Sequence, residues 1–139
     1  MKVRIKKIEG MTMMGETDSG HAIVMDAAEA VGGRNLGPRP METLLMGMGG
    51  CTTIDVLHIL RKSRQDVTDC VAEIDSERAE TEPKVFTKIH VHFVITGRNL
   101  KEAQVKRAVS LSAEKYCSAS IMLSKSVEIT HDYEIRQAD

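Results

Sequence analysis

Tryptophan is absent from this chain, and phenylalanine and tyrosine supply only two residues each. A surface that reads nucleic acid needs a basic stripe, with aromatics interleaved where bases stack, and neither occurs. Lysine plus arginine (19) nearly cancels aspartate plus glutamate (20), leaving a formal net charge of -1. Nucleic acid is therefore not an expected partner. No CxxC pair is present, and the cysteine count is three, an odd number that does not fit a closed disulfide framework. The opening MKVRIKKIEGM is basic, but alternating residues follow it rather than an apolar run, so no signal peptide is expected. These features together predict a cytoplasmic protein whose thiols rest reduced and whose disulfides are transient, catalytic or sensing.

What is present fits one domain over residues 1–139, long enough to bury a core. Val3 and Ile5 alternate with Lys2, Arg4 and Lys6 as a first strand; a second passes through Met11 and Met13. GETDSG at 15–20 signals a turn, and HAIVMDA returns as a third strand. Residues 27–40 are rich in Gly and Pro and read as an exposed connection. A long helix is predicted from Pro40, with Glu42 near its positive end and the basic RKSRQD at 61–66 closing it. From Leu44 to Cys51 it is apolar or small on every side, which predicts a buried helix. Glu42, Asp55 and His58 within the same segment argue against a membrane span.

Two strands follow as a hairpin, the first burying Cys70, Ala72 and Ile74, the second burying Ile89, Val91, Phe93 and Ile95. A second helix is predicted to open at Asn99 with Glu102 as capping-box partner, its apolar stripe being Val105, Ala108, Val109, Ser112 and Tyr116. The short apolar piece SASIMLS then leads to a last strand through Val127, Ile129, His131, Tyr133 and Ile135. Strands, helix, two strands, helix, strand: the order predicts an α+β fold with a largely antiparallel sheet.

Chemistry concentrates on Cys51 and Cys117. Cys51 follows the pair Gly49 and Gly50, and a glycine inside a helix costs about 1 kcal/mol relative to alanine. A pair of them implies the close approach of another segment. Should that segment carry Cys117, oxidation of Cys51 to a sulfenic acid would let Cys117 condense with it. The alternative is two ordinary buried cysteines. Cys70, on the apolar face of its strand, reads as structural. His90 and His92 share a strand face, but no further ligand accompanies them at a suitable spacing, so a solvated face is the reading. A Cys51–Asp55–His58 line along the helix fails as a catalytic triad, because two turns separate Cys51 from His58 by about 10 Å. Glu42 stands 2.5 turns from Cys51 by helical periodicity, on the opposite side. The nine methionines read as gap-fillers of the core, or alternatively as the wall of an apolar pocket around Leu44, Leu45, Met46 and Met48.

The stretch GPRPMETLLMGMGGCTTIDVL resembles the P-x-E-L-L…G-C-T-x-I-D signature of the OsmC-like family, and AVSLSAEKYCSAS resembles that family's second-cysteine segment. Within the family the chain looks most like the YhfA-type bacterial branch. The resemblance covers nearly the whole chain and implies an OsmC-like α+β fold: an intertwined homodimer with long central helices between sheets. It implies a cofactor-free thiol peroxidase acting on organic or inorganic hydroperoxides, with Cys51 as peroxidatic nucleophile, Cys117 as resolving thiol and Glu42 in the catalytic set. A dithiol reductant would restore the enzyme. The family's peroxidases add an arginine from an N-terminal strand; Arg4, Arg34 and Arg39 are at hand here, but none matches by motif. Glu42 also stands one residue closer to Cys51 than the glutamate of the hydroperoxide resistance proteins. The other class of function left open is a non-catalytic small-molecule-binding or redox-sensing dimer.

Overall fold

The computed structural model describes residues 1–139. The chain forms two compact units, Met1–Met46 and Gly47–Asp139, whose boundary falls inside a long helix, α1 (Pro40–Lys62).

The first unit carries an antiparallel meander of β1 (Val3–Glu9), β2 (Thr12–Thr17) and β3 (Ala22–Met25). The predicted turn at 15–20 shrinks to 18–20, since Gly15, Glu16 and Thr17 stay paired with β1. The segment after β3 is no loose connection. Asp26 is buried, and its carboxylate accepts hydrogen bonds from Ala27 N (2.7 Å), Thr12 Oγ1 (3.0 Å), Leu36 N (3.2 Å) and Arg34 N (3.3 Å). Burial works to raise its pKa, but these donors outweigh that and hold it below its ordinary value. Gly33 lets the loop pass against Ala27, where an added Cβ would sit 1.9 Å from a carbonyl oxygen. All three candidate arginines are engaged locally: Arg4 with Glu16 (2.8 Å), Arg34 with Glu9 (3.3 Å), and Arg39 with Asn35 Oδ1 (2.9 Å) and Gly37 O (3.1 Å).

The second unit is built on β4 (Asp66–Arg78), β5 (Phe86–Arg98) and β6 (Glu128–Gln137), with β5 in the middle. β4 and β5 pair antiparallel, whereas β6 runs parallel to β5, with Val91 opposite His131. A parallel neighbour requires a crossover. It is supplied by α2 (Glu102–Leu111), a π turn (Ser112–Tyr116) and α3 (Ser118–Leu123). Ile89, Val91, Phe93 and Ile95 on β5 are buried, as the alternation predicted, together with Val105, Ala108 and Val109 of α2 and Met48, Val56 and Leu60 of α1.

Several expectations need correction. α2 opens at Glu102, not Asn99; Asn99 has a left-handed φ of 54°, and Lys101 is the cap with no side-chain bond. Glu102 instead accepts from the Tyr133 hydroxyl at 3.3 Å. SASIMLS contains a helix, α3. Tyr116 is 50% exposed, because the π turn rotates it off the stripe that Val105, Ala108, Val109 and Ser112 bury. Within the chain α1 is not buried all round. Met48, Thr52, Val56 and Leu60 recur every fourth residue as a buried stripe, while Met46 (54%), Ile54 (68%) and Leu57 (37%) lie exposed along another. The helix has the length and apolar composition of a membrane span, yet one face of it forms part of a core.

Candidate active site

α1 presents Cys51 and, one turn on, Asp55 at the margin of its buried stripe. The crossover presents Cys117 at the end of the π turn. The two sulfur atoms and one carboxylate oxygen of Asp55 lie within 4.8 Å of one another. Cys51 is half-buried and Cys117 fully buried, both as free thiols.

A pair of hydroxyls bonds the two segments to each other. Thr52 Oγ1 and Ser112 Oγ lie 2.8 Å apart, Ser112 Oγ also donates to Thr52 O at 3.2 Å, and both residues are fully buried. The π turn then carries the chain from Ser112 to Cys117, whose amide donates to Ser112 O at 2.9 Å. Single π turns favour functional positions because they re-aim one side chain without ending the helix. Cys117 caps α3: its sulfur accepts from Ser120 N at 3.4 Å.

Burial pushes the Cys117 thiol up from its ordinary range; Ser120 pulls it the other way, and the neighbouring Cys51 adds a smaller push upward. Cys117 therefore rests protonated. Two polar atoms here are buried without a partner, Asp55 Oδ2 and Ser120 Oγ. In the three-atom group, two sulfurs and one oxygen fall one donor short of the four that a structural zinc site uses.

The glycine pair does not act as the sequence implied. Gly49 admits Ile74 of β4, whose Cδ1 would stand 2.5 Å from an added Cβ, while Gly50 faces open space. The close approach at Gly49 is thus to a strand, and the hydroxyl pair, not the glycines, joins α1 to the Cys117 segment.

A cleft of about 380 Å³ opens beside Asp55, walled by His58, Ile59, Lys62, Ser63, Arg107, Leu111 and Tyr116. It joins an apolar lining to the cations Lys62 and Arg107. His58 lies on this wall, outside the group of three. A larger cleft of about 590 Å³ between α2 and β6 includes none of the three residues. Glu42 is exposed, and its carboxylate accepts the Arg39 amide at 2.8 Å, the behaviour of a helix N-terminal acid.

Cys70 stands apart on β4, its thiol pushed up by burial first and by Asp69 second. The strand histidines do acquire partners across the parallel pairing. Asp132 Oδ1 bonds both His92 Nδ1 (2.6 Å) and His90 Nε2 (3.0 Å), and Glu134 approaches His92 Nε2 (3.4 Å). The Asp132 bond holds the His92 pKa above its ordinary value. This is a partly exposed charge ladder, and a solvated face remains its description.

Asp55 was set aside with the rejected triad, and Thr52 and Ser112 gave no signal as a pair. Two features of the sequence point to Asp55: its i, i+4 spacing from Cys51 and its place as the last residue of the G-C-T-x-I-D signature.

An α+β chain that aligns two reduced cysteines from separate helical segments is a paired-thiol protein. A model of the OsmC-like protein family matches residues 32–132, and the chain belongs to that family. It is 53% identical over 135 residues to the Escherichia coli K12 protein YhfA, covering 97% of this chain and 98% of that one. A solved hypothetical protein from Aquifex aeolicus VF5 is 31% identical, with a TM-score of 0.87 and coverage of 99% and 97% of the two chains. An organic hydroperoxide resistance protein, OsmC, from Legionella pneumophila shares the fold at 18% identity, with a TM-score of 0.71 and coverage of 96% and 97%.

Proposed function

We propose that this protein is a thiol-dependent peroxidase that reduces organic or inorganic hydroperoxides through a two-cysteine cycle. One observation carries the reading: two free thiols from distant segments lie within 4.8 Å, one half-buried and the other fully buried, and Asp55 of the same group lines a cleft. Hydroperoxide resistance proteins that share the fold support the same direction.

The Cys51 thiolate attacks the peroxide O–O bond, taking the terminal oxygen as a sulfenic acid while the leaving alkoxide or hydroxide picks up a proton. Cys117 sulfur then displaces hydroxide from Cys51, giving a disulfide and water. A dithiol reductant returns both thiols. No bound cofactor enters the cycle.

The functional unit on this reading is a homodimer in the cytoplasm. Met46, Gly50, Ile54 and Leu57 recur along α1 as an exposed stripe, and the space above Gly50 suits a second helix. Val3, Ile5 and Ile23 add exposed apolar surface.

Peroxide consumption with a dithiol donor tests the proposal. Cys51→Ser should abolish turnover, and Cys117→Ser should leave a sulfenic acid that dimedone traps. Turnover indistinguishable from a cysteine-free variant, for both inorganic and organic peroxides, overturns it.

A further inference from the structure

We propose that Asp55 is the proton acceptor and donor for the resolving step, taking the proton from Cys117 and returning it to the departing oxygen. This deepens the two-cysteine reading and rests on it for the physiological step.

Three observations converge on Asp55. Its carboxylate reaches within 4.8 Å of both sulfurs. Its Oδ2 is buried with no hydrogen-bond partner, a penalty that structures seldom carry without a use. And Cys117 is wholly buried, where an uncharged thiol is favoured over the thiolate that must attack. A buried thiol that has to ionise on demand needs a nearby base, and Asp55 is the only carboxylate in the three-atom group. The other titratable groups around it are His58 and Lys62 on α1, Arg107 on α2 and Tyr116 on the π turn, all lining the cleft.

The step balances within the chain. As Cys117 sulfur forms its bond to Cys51 sulfur, the Asp55 carboxylate takes the S–H proton. The S–O bond of the sulfenic acid breaks, and the hydroxyl leaves with the proton that Asp55 has just received. The products are a disulfide, one water and the original carboxylate. No external acid, base or oxidant is consumed in this step.

The test uses the full chain in a Cys70→Ser background, so that only the pair reacts. The probe is the chromogenic disulfide dithiobis-nitrobenzoate. Cys51 attack releases one nitrothiophenolate, and Cys117 attack on the resulting mixed disulfide releases a second, so one trace reads both steps. The second leaving group needs no proton, which isolates deprotonation of Cys117. Asp55→Asn should slow the second release at neutral pH by about 10²-fold, the low end for general-base assistance, without slowing the first, since removing a negative charge beside Cys51 favours its thiolate. The slow phase should recover about tenfold per pH unit as Cys117 ionises unaided. Asp55→Glu should restore part of the lost rate. A second release within about twofold of the parent overturns the proposal. So does a loss that affects both phases alike with an unaltered pH profile, since that marks a structural role. The probe needs no peroxide. An Asp55-dependent second phase in a protein that consumes no peroxide would therefore reject the peroxidase and retain the base.

Discussion

Replacing Ser112 with alanine should be far more costly than its size suggests. The hydroxyl bonds Thr52 Oγ1 at 2.8 Å and Thr52 O at 3.2 Å across sixty residues of chain, with both residues at 0% exposure. Its removal cancels net hydrogen-bond contributions of about 0.5–1.5 kcal/mol each and strands the Thr52 hydroxyl in a dry interior, a further cost of about 1–3 kcal/mol. We expect Ser112→Ala to lose roughly 2–3 kcal/mol. Thr52→Val keeps the shape and leaves Ser112 its bond to the Thr52 carbonyl, so its cost should be near 1 kcal/mol. The double variant has no stranded hydroxyl and should fall short of the sum by about 1 kcal/mol or more. Urea unfolding of the four proteins, reduced and at one fixed protomer concentration, gives the coupling directly. Costs that add within about 0.3 kcal/mol would refute the claim that this pair acts as one unit.

Two further outcomes concern the first unit. Asp26 titrates lower in the folded than in the unfolded chain, so its stabilisation is present above the unfolded value near 3.8 and is lost as pH falls through the folded one. Asp26→Asn should thus lower the unfolding midpoint at neutral pH, with the deficit shrinking in acid below 3.8; a deficit that is constant with pH would contradict the bonding described. Gly33→Ala should destabilise by about 2 kcal/mol or more, since the new Cβ meets backbone that cannot yield; a thermal melt unchanged from the parent would contradict this.

Much of the architecture was legible because its determinants are local. The alternation Ile89, Val91, Phe93, Ile95 can bury one face only as a strand, and Pro40 with the basic Arg61–Lys62 brackets a helix. What stayed hidden depends on pairing between distant segments. Nothing near residue 128 announces that β6 runs parallel to β5, so the carboxylates that meet His90 and His92 were invisible. The same holds for Thr52 and Ser112: each hydroxyl alone reads as filler on a helix. Likewise, all-round apolarity of α1 does not say which faces the chain itself covers: Met48, Thr52, Val56 and Leu60 are buried, whereas Met46, Ile54 and Leu57 are exposed. Cys51 and Cys117 were legible as chemistry through their motifs, whereas their separation is a product of the crossover.

That crossover also sets a timetable. While the chain is being made, Cys51 emerges long before Cys117, and the crossover is anchored only when β6, close to the carboxyl end, docks along β5. On the two-cysteine proposal, Cys51 until then has no resolving neighbour, and a sulfenic acid formed on it has no partner within the chain to condense with before further oxidation. Newly synthesised copies should for that interval be the most oxidant-sensitive molecules in the pool.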